Sequence, residues 1–441
     1  MLRSLDGHLV IARKAFPIIL ANASVPLLGL VDTAAIGQTG GAQELGAIAL
    51  GALIFSFIYW GFGFLRMGTT GFTAQSYGAR DYAEVRYVSL RACLMGVGIG
   101  AVLIVLQHAV ALSAFHLLDT SDEVKKLIGQ YFYIRIWGAP ATLCSFALLG
   151  VLVGLGQTRK LLGLQLFLNG LNILLNVFFV IGLGWSVRGI AAGTVIAEWA
   201  ALLLGIWMVR RSLSGLMPRG STQSWSRLFD RSKFSQMMRT NGNIMLRTLA
   251  LLFGFAWFAN RGAGFGDEVL AANHVLMQFV SLSAFFLDGY AYVVEMMVGK
   301  AMGARDERAY RVQLKQANQL AAVTAVLLAA FIWGFGSPII SGLTKDESVR
   351  ILAKEYLPYA CVYILVSFYA FQLDGVFIGS TRSGEMRNAS LFSLLFFLTL
   401  SFLLSSQANN AGLWIAFIGY VIVRGLSLAY YLPRVSALFG R

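Results

Sequence analysis

Asp32 is an acidic residue in an apolar stretch, residues 15–37, that contains no lysine or arginine. A low dielectric disfavours the ionised carboxylate, so an acid in such a stretch suits the binding and release of a proton. A carboxylate that is merely solvated near the end of its helix is the alternative. Pro17 and Pro26 each lack a backbone N–H and predict either a hinge that bends when Asp32 changes charge or a permanent kink. We expect Asp32 to be the proton-coupling residue.

Three asparagines follow in a later apolar stretch: Asn169, Asn172 and Asn176. Their spacings of three and four residues place them on one face of a helix. Amides on one face either form a polar network with Asp32 or a bound molecule, or they tie neighbouring helices together. Both interpretations stay open, and we take Asn172 and Asn176 as candidates for a network that binds substrate or protons.

Thr194 and Glu198 are one helical turn apart in the next apolar stretch. They add a hydroxyl and a second carboxylate to the candidate network. For Glu198 the alternative is a structural ion pair with Arg66 or Arg135.

The second half of the chain carries charges of both signs in apolar stretches: Arg247, Asp288, Glu295, Asp374 and Arg424. Such a mixture can neutralise itself, so structural ion pairs are the first expectation. A second proton or cation site at Asp288, Glu295, Asp374 and Arg247 is the alternative.

The composition is typical of a membrane protein. Of 441 residues, 57% are hydrophobic and 13% charged, whereas soluble domains contain about a quarter charged residues. Apolar stretches of about twenty residues must be helices, since a bilayer offers no water to satisfy open backbone groups. We therefore predict an all-α integral membrane protein with twelve spans, at 15–37, 45–71, 88–114, 129–154, 162–184, 187–209, 240–262, 269–300, 313–336, 351–379, 387–407 and 411–433.

An internal repeat divides these spans into two sets of six. Gly78-Ala-Arg-Asp81 recurs as Gly303-Ala-Arg-Asp306, and 303 minus 78 is 225. The same offset relates Leu45 to Leu270, Tyr131 to Tyr356, Gly150 to Gly375 and Gly154 to Gly379. Six spans is an even number, so both halves run in the same direction and are related by a pseudo-twofold axis along the membrane normal.

The predicted organisation is an amino-terminal lobe at 1–212, a cytoplasmic linker at 213–239 and a carboxyl-terminal lobe at 240–441. Two similar halves that rock about a shared site give alternating access, which favours a transporter.

The net charge of +14 is explained by lysines and arginines in the loops between the predicted spans. The termini and the loops after even-numbered spans hold most of the lysines and arginines, and such loops stay in the cytoplasm. We predict a multi-pass protein of the bacterial inner (plasma) membrane with both termini cytoplasmic. Membrane lipids, rather than nucleic acid, account for the charge. The three cysteines have no CxxC spacing, no metal site is predicted, and no obligate protein partner is evident.

Three segments carry a family resemblance. Residues 22–32 read Asn-Ala-Ser-Val-Pro-Leu-Leu-Gly-Leu-Val-Asp, residues 66–75 read Arg-Met-Gly-Thr-Thr-Gly-Phe-Thr-Ala-Gln, and residues 287–295 read Leu-Asp-Gly-Tyr-Ala-Tyr-Val-Val-Glu. With these segments the chain resembles the multidrug and toxic compound extrusion (MATE) family, in its DinF-like branch, over essentially its whole length.

The resemblance implies proton-coupled antiport of cationic or amphipathic small molecules from a cavity between two six-helix lobes. It implies that Asp32 couples to protons, that the helix bends at Pro17, and that Asn172 and Thr194 are polar cavity positions. Several relatives have an aspartate where this chain has Asn176, so a site with two carboxylates is not implied. Sodium coupling through second-lobe carboxylates occurs in other branches, and Asp374 keeps that option open.

Several alternatives remain at this stage. A flippase for lipid-linked precursors would share the architecture but should need cationic side chains for anionic headgroups. A channel would share the repeat, and a sodium-coupled drug antiporter would share the fold. An enzyme is disfavoured because no HExxH or nucleophile signature occurs. No cofactor is expected beyond a proton gradient, or sodium in the alternative.

Overall fold

The described part of the chain is almost entirely helical. The computed structural model describes the backbone of residues 2–39, 41–117, 120–216 and 225–440, and the side chains in these ranges apart from 2–5, 26–39 and 117. No strand occurs among the described residues, and the all-α prediction is confirmed.

Fifteen helices follow one another in these ranges. They are α1 (Leu2–Thr39), α2 (Ala42–Gly61), α3 (Phe64–Gly78), α4 (Tyr82–Val105), α5 (Gln107–Leu117), α6 (Asp122–Arg135), α7 (Ala139–Leu155), α8 (Thr158–Val177), α9 (Ser186–Ser214), α10 (Trp225–Leu228), α11 (Arg231–Ala263), α12 (Asp267–Ala304), α13 (Glu307–Leu343), α14 (Glu347–Gly379) and α15 (Ser383–Ser436). A 3-10 turn, Ile136–Gly138, joins α6 to α7, and a π-helical turn, Phe178–Gly182, follows α8.

Eleven helical segments of the described residues are long and apolar enough to cross a membrane. Three of them combine neighbouring helices: α2 with α3, α6 with α7, and α10 with α11. The last segment, α15, leaves helical geometry at Ala408 and Asn409 and so contains the final two predicted spans. This arrangement agrees with the twelve predicted spans.

The chain divides into two compact units. The amino unit is Leu20–Met237, and the carboxyl unit is Met1–Ile19 together with Met238–Arg441. The division at 237/238 falls inside the predicted linker, whereas the first nineteen residues group with the second half.

Close packing explains why the start of α1 belongs to the carboxyl unit. Gly289 of α12 faces α1, and a Cβ at this glycine would overlap Ile19 and lie 3.4 Å from the carbonyl oxygen of Ala15. His8 also hydrogen-bonds Gln319 of α13 at 2.9 Å. The sequence pattern alone does not indicate which neighbours a helix selects.

The internal repeat is visible in the backbone. Three pairs of residues at the offset of 225 share a positive φ: Arg80 and Arg305 (60° and 55°), Gly156 and Thr381 (77° and 55°), and Gly184 and Asn409 (69° and 48°). The hydrogen bonds that close these turns repeat too. Asp81 N donates to Ser76 O at 3.0 Å, and Asp306 N donates to Ala301 O at 2.9 Å.

Helix packing repeats at the same offset. In the amino unit, a Cβ at Gly150 of α7 would overlap the carbonyl oxygen of Arg66 on α3. In the carboxyl unit, a Cβ at Gly375 of α14 would lie 2.6 Å from the carbonyl oxygen of Ala291 on α12. Small residues at such crossings let helix backbones approach closely in a membrane.

Aspartates begin several of these helices. Asp81 and Asp306 accept hydrogen bonds from the backbone N–H three residues later, at 3.0 and 2.8 Å. Asp346, between α13 and α14, accepts from Ser348 Oγ at 2.6 Å and from the N–H of Val349 at 3.3 Å. These hydrogen bonds stabilise the ionised carboxylate and lower the pKa of Asp346.

Candidate functional site

The three asparagines of α8 are buried inside the amino unit. Asn172 is 1% exposed and Asn176 is fully buried. Asn176 Nδ2 donates a hydrogen bond of 2.7 Å to Asn172 Oδ1, because residues four apart on a helix are neighbours. One turn earlier, Asn169 Nδ2 donates to Ser24 Oγ of α1 at 2.8 Å. This face of α8 is therefore polar and faces the interior of the unit.

The amide of Asn172 is only partly satisfied. Its Nδ2 has no hydrogen-bond partner among the described residues. A buried donor without a partner costs about 1–3 kcal/mol. An acceptor is therefore expected at this position, supplied by a bound molecule or by a residue whose side chain is not described.

Helix α9 packs closely against these amides. Gly193 leaves room for Asn176 Oδ1, which a Cβ at this glycine would overlap. The adjacent Thr194 is 8% exposed and donates from Oγ1 to the carbonyl oxygen of Ile190 at 2.8 Å. Its oxygen remains able to accept a hydrogen bond.

Glu198 forms an ion pair with Arg135, the structural alternative named for it above. The guanidinium donates two hydrogen bonds to the carboxylate, at 2.7 and 2.6 Å. It also lies over the rings of Phe55 and Tyr59, with distances to the centroids of 5.1 and 5.4 Å. Gly138 is needed here, because a Cβ at this position would overlap Glu198 Oε2. The pair is well hydrogen-bonded and connects α6 to α9.

Asp374 of α14 lies between two arginines in the carboxyl unit. Its Oδ2 accepts a hydrogen bond from Arg247 Nη2 of α11 and is 3.6 Å from Arg424 Nη2 of α15. All three residues are buried. The ion pairing predicted for this half is present, and two guanidinium groups surround one carboxylate oxygen.

An aromatic core surrounds this cluster. Tyr363 stacks on Phe417 with ring centroids 4.7 Å apart, and Phe397 stacks on Tyr420 at 5.2 Å. The Arg424 guanidinium lies 5.9 Å from the centroid of the Phe371 ring. Aromatic walls exclude water and strengthen the attraction between the buried charges.

The other two acids of this half lie on α12. Glu295 is 1% exposed. Asp288 is half-buried and close enough to Arg424 for an electrostatic attraction between the two side chains. The structure therefore associates Asp288 with the arginine cluster and buries Glu295 within the unit.

Two predicted residues have side chains outside the described set, Asp32 and Pro26. Their backbone lies in α1, which also contains the buried Pro17. Pro17 belongs to the carboxyl unit and residue 26 to the amino unit. The proton-coupling and hinge roles remain predictions.

One buried polar network was not anticipated from the sequence. Asn273 of α12 and Asn410 of α15 exchange hydrogen bonds of 2.8 and 3.0 Å, and Trp414 Nε1 donates to Asn273 Oδ1 at 2.9 Å. Asn410 directly follows the break in α15. Two consecutive asparagines in an apolar stretch were the available signal. Within the described ranges, no three His, Cys, Asp or Glu residues cluster as a metal site.

Comparison with known proteins adds to this description. The family model MatE matches residues 17–178 and 244–403. The two matches fall one in each half of the sequence, in agreement with the internal repeat.

Individual relatives align over almost the whole chain. DNA damage-inducible protein F of Escherichia coli strain K12 is 37% identical over 417 residues, or 94% of this chain and 90% of that protein. A probable multidrug resistance protein NorM of Halalkalibacterium halodurans is 23% identical over 441 residues, or 96% and 94% of the two chains.

A solved structure shares the fold. It is described as the outward-facing conformation of a multidrug resistance MATE family transporter, with a TM-score of 0.85 and 18% identity. The superposition covers 99% of this chain and 97% of that one.

Proposed function

The chain belongs to the MatE family, and from this premise we propose that it is a secondary active multidrug exporter. It moves cationic or amphipathic small molecules out of the cytoplasm in exchange for protons. Asp32 is the carboxyl group that couples the two fluxes. The protein resides in the bacterial inner membrane with both termini in the cytoplasm.

The unsatisfied amide of Asn172 carries this proposal. Its Nδ2 is a buried donor without an acceptor among the described residues, on a face shared with the buried Asn176. An ionised carboxylate accepts such a hydrogen bond more strongly than the neutral acid, which keeps only part of its acceptor capacity. If Asp32 supplies the acceptor for Asn172, its protonation would weaken that hydrogen bond and loosen the contact between α8 and α1.

The buried acids that pair with arginine favour Asp32 as the proton carrier. Glu198 is held by Arg135, and Asp374 by Arg247 and Arg424. Each of these carboxylates belongs to a buried ion pair, and breaking such a pair leaves an uncompensated charge. The same arginines occupy the position that a sodium ion would take at Asp374, so we propose protons rather than sodium as the coupling ion.

The path of α1 supports a hinge. The helix passes from the carboxyl unit to the amino unit between Ile19 and Leu20. Pro17 and Pro26 lie on either side of this point. A bend between these prolines, driven by the charge of Asp32, would act at one of the two points where the chain passes from one unit to the other.

The flippase alternative has less support. The arginines paired with Glu198 and Asp374 are buried beside a carboxylate, and a headgroup phosphate would have to displace that partner. Nothing in these contacts favours a phospholipid-linked precursor over an organic cation as cargo.

The test is dye efflux from proteoliposomes with an imposed pH gradient. We expect Asp32→Asn to reduce coupled efflux to the rate of protein-free liposomes, while binding of the dye in detergent persists. Asp32→Glu keeps a titratable group and should retain part of the activity. Asp267→Asn is the matched control, since Asp267 lies in the first turn of α12 and is exposed.

The outcomes separate the alternatives. Undiminished coupled efflux by Asp32→Asn would contradict the coupling role. Transport that neither saturates nor runs against a dye gradient would indicate a channel. Flux driven by sodium alone would indicate the sodium-coupled antiporter, and translocation of a fluorescent lipid without dye efflux would indicate the flippase.

A further inference from the structure

Each unit contains a groove at the corresponding place in the repeat. The amino groove, of about 760 Å³, is lined by α4, α7 and α9. The carboxyl groove, of about 600 Å³, is lined by α13, α14 and α15. Five lining positions correspond at the offset of 225: 86 and 311, 89 and 314, 90 and 315, 93 and 318, and 144 and 369. The first of these pairs is arginine in both units.

The amino groove combines an apolar floor with a basic rim. Leu90, Leu148 and Ile206 line the floor, while Arg86 and Arg210 lie at the rim. Arg86 is near the start of α4 and Arg210 near the end of α9. None of the described residues that line this groove is acidic.

Aromatic residues place the rim at the level of lipid headgroups. Trp207 is 53% exposed, and the guanidinium of Arg211 lies 5.4 Å from its ring centroid. In the carboxyl unit, Arg434 lies 4.9 Å from the centroid of Tyr431. Exposed tryptophan and tyrosine with adjacent arginine are typical of the membrane–water interface, and these residues lie at the end of the sixth predicted span of each half.

We propose that the amino groove is a binding site for one anionic phospholipid, with its phosphate between Arg86 and Arg210 and an acyl chain along the apolar floor. The positions of the arginines at the basic end of the bundle assign the lipid to the cytoplasmic leaflet, which is the anionic one. Basic pockets between transmembrane helices at this level bind acidic headgroups. The bound lipid joins α4 to α9 across α7, which both helices flank.

The carboxyl groove also has two basic lining residues, Arg311 and Lys315. Its Arg311 already pairs with Glu307, which is 2.5 Å away. In the amino unit, no described carboxylate pairs with Arg210. Basic residues therefore line the groove in both units, and we place the lipid in the amino groove because its arginines lie at the rim of an apolar floor. It is separate from the polar network of α8 and does not depend on the proposed export activity.

Native mass spectrometry of the purified full-length chain tests the site. Dioleoylphosphatidylglycerol and dioleoylphosphatidylcholine have the same acyl chains, so their difference isolates the headgroup charge. We expect the wild-type protein to retain one phosphatidylglycerol at concentrations at which phosphatidylcholine is lost. Arg86→Gln and Arg210→Gln should each weaken retention about fivefold, and the double variant about 25-fold.

Three further variants separate charge from folding. Arg210→Lys keeps the charge and should retain the lipid. Leu90→Trp fills the floor without a change of charge and should also lower retention. Arg159→Gln removes one exposed arginine at the start of α8, outside the groove, and should bind as the wild type does.

Several results would overturn the proposal. One is that the wild-type protein retains phosphatidylglycerol and phosphatidylcholine equally. Another is that Arg210→Gln and Leu90→Trp both retain phosphatidylglycerol as the wild type does. Displacement of the lipid by millimolar sn-glycerol 3-phosphate would show that the site binds soluble phosphate instead. Should the double variant fail to fold, the single variants still decide the matter.

Discussion

Arg135 and Glu198 form a two-fold hydrogen-bonded ion pair inside the amino unit, at 2.7 and 2.6 Å. The geometry is that of a planar guanidinium facing a carboxylate, the strongest form of such a contact in proteins. Because both residues are buried, the pair is worth less than its Coulomb attraction, but loss of one partner leaves an uncompensated charge.

If the Arg135–Glu198 pair has a structural role, replacing both residues should restore the stability that a single replacement removes. Glu198→Gln should lower the free energy of unfolding by about 3–5 kcal/mol, since it leaves Arg135 without a counter-charge. Arg135→Met combined with Glu198→Leu should restore most of the stability and the dye efflux. Thermal unfolding followed by size-exclusion chromatography measures the first effect. A stable double variant without coupled efflux would instead assign Glu198 to proton transfer.

The arginines around Asp374 predict insensitivity to sodium. A sodium ion at a hundred times its dissociation constant would stabilise the protein by about 2.7 kcal/mol. We expect no difference in melting temperature between sodium chloride and choline chloride at equal ionic strength. Asp374→Asn should destabilise the carboxyl unit, because it leaves Arg247 and Arg424 without their carboxylate. A sodium-dependent rise in melting temperature that Asp374→Asn abolishes would contradict this assignment.

The helix crossings at Gly150 and Gly375 predict that replacing either glycine by alanine lowers the stability of the protein by a similar amount. A methyl group at either position meets a backbone carbonyl oxygen that cannot move easily. Gly150→Ala and Gly375→Ala should each cost about 1–3 kcal/mol by overpacking. Gly98→Ala on the exposed face of α4, where nothing lies within 4 Å, should be neutral or slightly stabilising. Equal melting temperatures for all three variants would refute the packing argument.

The turns at Gly156 and Thr381 predict that adding a Cβ at the first position destabilises the protein and that removing it at the second stabilises the protein. Both have a left-handed backbone, with φ of 77° and 55°. A residue with a Cβ pays about 1–2 kcal/mol in this region. Gly156→Ala should therefore destabilise the protein by about 1 kcal/mol, and Thr381→Gly should raise the melting temperature slightly. A fall in the second variant would mean that the Thr381 hydroxyl, which donates to Ser380 O at 2.8 Å, outweighs the strain.

The sequence predicts the duplication well because duplicated turns need the same backbone. Arg80 and Arg305 lie in identical tetrapeptides, and both adopt a left-handed conformation. Gly150 and Gly375 recur because a close helix crossing excludes a larger side chain. A constant offset between such residues is therefore informative even without any similarity in the rest of the spans.

Pairing between distant helices is harder to predict. The sequence offered two arginines for Glu198, and nothing in the local pattern selects Arg135 over Arg66. The charges of the second half were expected to pair, but which side chains meet depends on how α11, α14 and α15 cross. The groove arginines could have been noticed, since Arg86 and Arg311 are one repeat apart in the sequence.

The two compact units do not coincide with the two halves of the sequence, because the start of α1 belongs to the carboxyl unit. Ala15 and Ile19 of α1 lie against Gly289 of α12, which belongs to the second half of the sequence. A chimera that exchanges second halves between two relatives at Met238 would thus bring together surfaces that never evolved as partners. Such an exchange should succeed only when the first nineteen codons travel with the second half.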